Sequence, residues 1–147
     1  MELPWTKWDE RFMERAKQIA SWSKHPKHRV GAVIKDPLHR LVGEGYNGPP
    51  MFTIDAVDSE EELRMRSLHA ELNAILHASR LDLKGCVMYV YPYAPCALCA
   101  AAIIQKQIRE VIYFTDGPKD QLQHWRESQI VGARMLGEAG VILSAFI

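Results

Sequence analysis

The residues able to do chemistry are His69, Glu71, Cys96 and Cys99, set in the runs His69-Ala70-Glu71 and Pro95-Cys96-Ala97-Leu98-Cys99. One imidazole nitrogen and two sulfurs are the donors Zn²⁺ takes in tetrahedral sites, and three protein ligands leave a fourth corner open for water. An open corner marks a catalytic zinc rather than a structural one. Two thiolates and a neutral imidazole make such a site formally neutral, and helix N-terminal amides favour the thiolate forms of Cys96 and Cys99. Glu71, two residues beyond His69, cannot point in the same direction on a helix turn, but it can stand beside a metal-held water and take its proton. Its expected role is proton shuttle, not ligand. Cys-x-x-Cys alone equally fits a redox pair or half of a structural zinc site. The upstream His-x-Glu and the proline before Cys96 select the catalytic reading, because a structural site needs a fourth protein ligand. Cys86, the spare cysteine, lies among apolar strand residues and is expected in the core.

These segments must be delivered to one place by the elements around them. Thr6-Lys7-Trp8-Asp9 reads as an N-capping signal, and Trp8, Phe12, Ala16 and Ile19 recur at helical spacing, so a first amphipathic helix is expected to stop before Pro26. Val30 to Ile34 and Leu41 to Tyr46 read as strands of a hairpin turning at Asp36-Pro37. The polar stretch from Asn47 to about Leu68, with a short helix near Ser59 to Arg66, is long enough to suggest a cover for a pocket. Further helices are expected from His69 to Arg80, from Pro95 onward and from about Leu122 to Ala139. Strands are expected at Cys86 to Tyr91, Val111 to Phe114 and Val141 to Leu143. The order α-β-β-α-β-α-β-α-β implies an α/β fold: a three-layer α/β/α sandwich around a five-stranded mixed sheet, the last two strands parallel through a right-handed crossover. Ligands then bind where strands hand over to helix N-termini, and both metal-binding runs lie at such points.

At 147 residues the chain is expected to form one domain spanning 1–147, with nothing resembling a linker to divide it. Eighteen Lys plus Arg balance eighteen Asp plus Glu, which favours a small substrate over a polynucleotide. No apolar run is long enough to span a bilayer, and the first residues lack the core of a signal peptide, so a cytoplasmic protein is expected. His25 and His28 have the spacing of metal ligands but read as exposed loop histidines, and Trp125 reads as a core aromatic.

His-x-Glu followed by Pro-Cys-x-x-Cys is the signature of zinc nucleobase deaminases. Beyond that motif, the chain resembles the deoxycytidylate (dCMP) deaminase family of the cytidine deaminase superfamily from Trp5 to about Ala145. The resemblance is carried by Ser23-Lys24-x-Pro26, Val30-Gly31-Ala32, Gly45-Tyr46-Asn47-Gly48-x-Pro50, His69-Ala70-Glu71-x-Asn73-Ala74-Ile75 and Pro95-Cys96-x-x-Cys99-Ala100-x-x-Ile103-Ile104-Gln105. It implies hydrolysis of dCMP to dUMP with release of ammonia. His69, Cys96 and Cys99 would hold zinc, and Glu71 would move protons as activated water attacks C4 of the pyrimidine. It further implies that Asn47 meets the sugar or phosphate end of a nucleotide and that Ala32 and Ala70 line the base pocket. Family members are commonly hexamers, and many respond to dCTP and dTTP. The sequence departs from the family pattern at His25, which stands where relatives often carry Asp, and at Met51-Phe52 beyond the Asn-Gly loop. Deamination of another base (tRNA adenosine, guanine, a pterin-like ring or free cytidine) uses the same metal and glutamate. A non-catalytic zinc-bound interaction domain is the reading of a different class.

Overall fold

The structure, a computed structural model, describes residues 5–54, 57–115 and 123–146. The expected helix start at Leu122 therefore lies outside the described residues, as do residues 1–4. Helix α1 (Lys7–Ala20) opens with a capping box: the Thr6 hydroxyl accepts the Asp9 N–H at 3.2 Å, and the Asp9 carboxylate accepts the Thr6 N–H at 3.0 Å. Strands β1 (Gly31–Lys35) and β2 (Leu41–Tyr46) form the expected hairpin. At its turn, buried Asp36 accepts the N–H groups of Leu38 and Arg40, each at 2.9 Å, and the guanidinium groups of Arg40 and Arg80 at 2.6 and 3.1 Å. Burial alone would raise the Asp36 pKa, but these donors hold it down at about 2.

Helices α2 (Glu60–Arg66) and α3 (Ala70–Leu76) follow, then β3 (Val87–Tyr91), α4 (Ala97–Gln105), β4 (Glu110–Phe114), α5 (Gln123–Glu138) and β5 (Ile142–Phe146). The sheet order is β2-β1-β3-β4-β5. β1 is antiparallel to both neighbours, while β3, β4 and β5 run parallel, which is the mixed sheet expected from the alternation of elements. Side chains alternate across each strand with period two. Ala32, Ile34, Met88, Val90 and Val111 pack toward Ala70 and Ala74 of α3, Ala100 and Ile103 of α4 and Leu136 of α5. Val33, Val87, Tyr89 and Ile112 pack toward Met13, Ala16 and Ile19 of α1. Among the described residues, α1 covers one face and three helices cover the other. Cys86 is buried in the larger cluster, as its neighbours required.

Two glycines bring α3 down onto the sheet. A Cβ at Gly43 would lie 2.6 Å from the Ala74 carbonyl oxygen, and one at Gly45 would lie 2.6 Å from both the Ala74 nitrogen and the Asn73 Cβ. Only strand positions without side chains let the helix backbone come this close. Asn73 adds a hydrogen bond from Nδ2 to the Tyr46 carbonyl at 2.8 Å. α3 is shorter than the expected His69 to Arg80, because beyond His77 the Ser79 N–H and hydroxyl turn back to the Val42 carbonyl at 2.8 and 3.3 Å. Among the described residues, no helix is long and apolar enough to cross a membrane.

Candidate active site

His69 and Cys96 occupy equivalent places. Each is the N-cap of its helix, His69 of α3 and Cys96 of α4, with extended backbone angles and no side-chain capping bond. A Ser or Asp there would turn its oxygen back onto the helix amides. His69 and Cys96 instead leave their side chains free to reach across to each other, since the sheet brings the two helix starts together. The His69 Nδ1 lies 3.3 Å from the Cys96 Sγ and 3.3 Å from the Cys99 Sγ. Among the described residues these three form the one group of metal-ligand type, all donor atoms lying within 4.8 Å of one another. A tetrahedral zinc with ordinary Zn–N and Zn–S bonds would set nitrogen and sulfur roughly 3.5 Å apart. The spacing and the donor set fit zinc, and among the described residues no fourth protein ligand joins the group.

The protonation of the cluster follows from its closeness. The Cys96 pKa falls to about 4, first because the Cys99 thiol donates to it and then, against the cost of burial, because His69 does too. The same sharing and burial push the Cys99 pKa well up, and the His69 pKa rises chiefly through its contact with Cys96. A metal entering here displaces the proton held by Cys99, so its uptake weakens as pH falls.

Glu71, in the first turn of α3, is only 5 % exposed. Burial raises its pKa to about 7, opposed mainly by His69. A carboxyl poised near neutrality can both accept and return a proton. Glu71, His69, Ala70 and Cys96 together line one wall of a cavity of about 500 Å³. Its other walls come from the segment before β1, the loop after β3, α2 and the start of α5. The stretch between Asn47 and Leu68 thus does border a pocket; it is fastened at its base by paired backbone bonds between Gly48 and Leu68 of 3.1 and 2.8 Å.

Asn47 lines the cavity, but its amide is already engaged: Oδ1 accepts the Val30 N–H at 2.9 Å and Nδ2 donates to the His28 carbonyl at 2.8 Å. One N–H and one lone pair remain for a ligand. Ala70 lines the cavity, and Ala32, the second residue of β1, is fully buried in the same core cluster as Ala70.

Three readings of single residues change. His25 and His28 are half-buried rather than exposed, and both line the cavity. The His25 Nδ1 accepts the Lys27 and His28 N–H groups at 3.1 and 2.8 Å, and the His28 Nδ1 lies 3.0 Å from the Tyr93 hydroxyl. Trp125 is a cavity residue, not a core one, its ring 5.2 Å from that of His69 and tilted by 51°. Its place in the first turn of the helix before the last strand was the available signal, since that helix starts at the same sheet edge as the two metal-binding runs. Ser128 and Gly132, which touch the Cys96 segment, carried no signal in the sequence.

Residues 6–115 match the family described as the cytidine and deoxycytidylate deaminase zinc-binding region. An uncharacterised deaminase of Aliivibrio fischeri is 44 % identical over 138 residues, covering 92 % of this chain and 91 % of that protein. The deoxycytidylate deaminase of Homo sapiens is 40 % identical over 149 residues, covering 95 % of this chain and 80 % of the human one. In fold, the chain matches a dCMP deaminase of the cyanophage S-TIM5, crystallised with dCMP and dUMP, at a TM-score of 0.74. That match has 22 % identity over 99 % of this chain and 100 % of the phage one.

Proposed function

The chain belongs to the cytidine and deoxycytidylate deaminase family, and on that premise we propose that it hydrolyses dCMP to dUMP and ammonia. The observation that carries this reading is the meeting of His69, Cys96 and Cys99 beside a buried Glu71 on the wall of one cavity. His69, Cys96 and Cys99 would hold zinc, which would supply Lewis-acid activation of the attacking water. Glu71 takes a proton from the attacking water as its oxygen bonds to C4 of the pyrimidine, and gives that proton to N3. The same carboxylate then carries the hydroxyl proton to the exocyclic nitrogen, the C4–N bond breaks, and ammonia leaves. Ala70 bounds the base, and Ala32, one layer behind, keeps that wall thin. The free N–H and lone pair of Asn47 serve the sugar. Lys27, His28 and Arg64 border the cavity and supply positive charge and donors for a phosphate.

The monophosphate substrate is favoured by the identity with a deoxycytidylate deaminase along nearly the whole chain. The same proposal takes residues 1–147 as one cytoplasmic domain that assembles as a homo-oligomer, hexameric by resemblance, with dCTP and dTTP as candidate effectors. Exposed Met51, Phe52, Ile54 and Met65 offer apolar surface for such an assembly.

Ammonia release measured across dCMP, CMP, dCTP, deoxycytidine, guanine and tRNA tests the substrate. We expect kcat/KM to be highest for dCMP, by about tenfold or more over deoxycytidine, as a lost charge-assisted phosphate contact implies. Zinc-loaded protein that leaves every cytosine compound unchanged while deaminating guanine or tRNA adenosine would refute the substrate and keep the chemistry.

A further inference from the structure

Of the three metal ligands, Cys99 lies inside α4, where the helix fixes its backbone and it is fully buried. Cys96 does not have that support. It stands at the N-cap with extended backbone angles, where its carbonyl accepts the Ala100 N–H at 2.9 Å but its sulfur does not cap α4. The first amide of α4 is satisfied from elsewhere: the Ser128 hydroxyl, on α5, accepts the Ala97 N–H at 3.0 Å. Together with the Ala100 N–H on the Cys96 carbonyl, that bond holds both ends of the 96–97 peptide, and with it the direction in which the Cys96 side chain leaves the backbone. One turn further along α5, Gly132 lies against the same segment. A Cβ there would stand 3.0 Å from the Cys96 carbonyl carbon and oxygen and from the Pro95 oxygen, all backbone atoms that cannot swing aside. Trp125, Ser128 and Gly132 fall at helical spacing on one face of α5, and Trp125 lies against the His69 ring. One helix face thus touches both metal ligands that sit at helix N-caps.

We propose that Ser128 is a positioning residue for the metal centre, fixing the orientation of Cys96 through the Ala97 N–H while Gly132 permits the close approach that this bond needs. The inference rests on the reading that His69, Cys96 and Cys99 hold zinc, and it adds a partner for a ligand that the ligand set alone leaves unsupported. Groups that orient metal ligands from outside alter metal affinity about 10- to 100-fold when removed.

The test is metal binding by the full chain, read by zinc competition against a chromophoric chelator and by the thiolate-to-metal charge-transfer absorption of the Co²⁺ form. Ser128→Ala is expected to weaken zinc about tenfold and to shift or weaken the Co²⁺ band. Ser128→Thr, which keeps the acceptor oxygen, is expected to retain both. A Ser128→Ala protein with the wild-type affinity and band overturns the proposal. So does a loss that Ser128→Thr shares in full. If Ser128→Ala does not fold, Gly132→Ala is read in its place: the same band shift supports the proposal, and a wild-type band overturns it. Wild-type protein that takes up no metal removes the metal-centre reading itself, and is thereby distinct from failure of the Ser128 assignment.

Discussion

Glu71→Gln is expected to lower kcat on dCMP by about a thousandfold, roughly 4 kcal/mol of transition-state stabilisation, with KM changed little and zinc content unchanged. Glutamine keeps the volume and one acceptor oxygen, so substrate and water can still be held; what it cannot do is carry a proton between water, N3 and the leaving nitrogen. The burial of Glu71 makes the variant informative on a second count. A carboxyl whose pKa burial has pushed up to about 7 is paying a desolvation cost in the folded chain. The neutral amide avoids part of that cost, so the melting temperature should stay level or rise even as activity falls. A catalytic residue that trades stability for function behaves in this way. If Glu71 were an ordinary helix residue of a zinc-bound interaction domain, turnover would be absent in the wild type or unchanged in the variant. Ammonia release and metal analysis on the same preparations check both halves.

Removing the metal is expected to abolish deamination, beyond what a rate assay can follow, while leaving the fold standing. The two apolar clusters that cover the sheet do not depend on a metal ion: one is closed by α1, the other by α3, α4 and α5. A domain folded around a structural zinc behaves oppositely, unfolding when the metal is withdrawn. Chelator treatment should therefore leave the far-ultraviolet circular dichroism near that of the untreated protein, lower the melting temperature by the linkage that any native-state ligand contributes, and be reversed by added zinc. Cys99→Ala should reproduce the inactive state without the reversal. Collapse of the dichroism on chelation would contradict a catalytic site built on a self-sufficient fold.

The zinc centre was legible in the sequence because its residues are few, chemically distinctive and locally clustered: an imidazole with a carboxylate two residues on, and a pair of thiols with a fixed gap. The fold was legible for a related reason, since strand and helix periods alternate cleanly enough to order the elements and to pair the last strands in parallel. What stayed hidden depended on the meeting of distant segments. Nothing local to Ser128 says that its hydroxyl reaches the Ala97 N–H, 31 residues away, and nothing local to Trp125 says that its ring lies against His69. Ala32 shows burial that its local sequence does not announce: the resemblance marked it for the base pocket, and it lies in the core cluster beside Ala70. The Asn47 amide combines both cases. Its motif marks it for a ligand, and the structure gives it the further task of pinning the chain at residues 28 and 30.

Zinc K-edge X-ray absorption on the purified chain, without substrate, reads the ligand shell directly. Two sulfurs near 2.3 Å and two lighter atoms near 2.0 Å are expected, one of the light atoms being the His69 nitrogen and the other exchangeable for an added small anion. A shell closed by four protein atoms, or one that lacks the two sulfurs, would contradict the account.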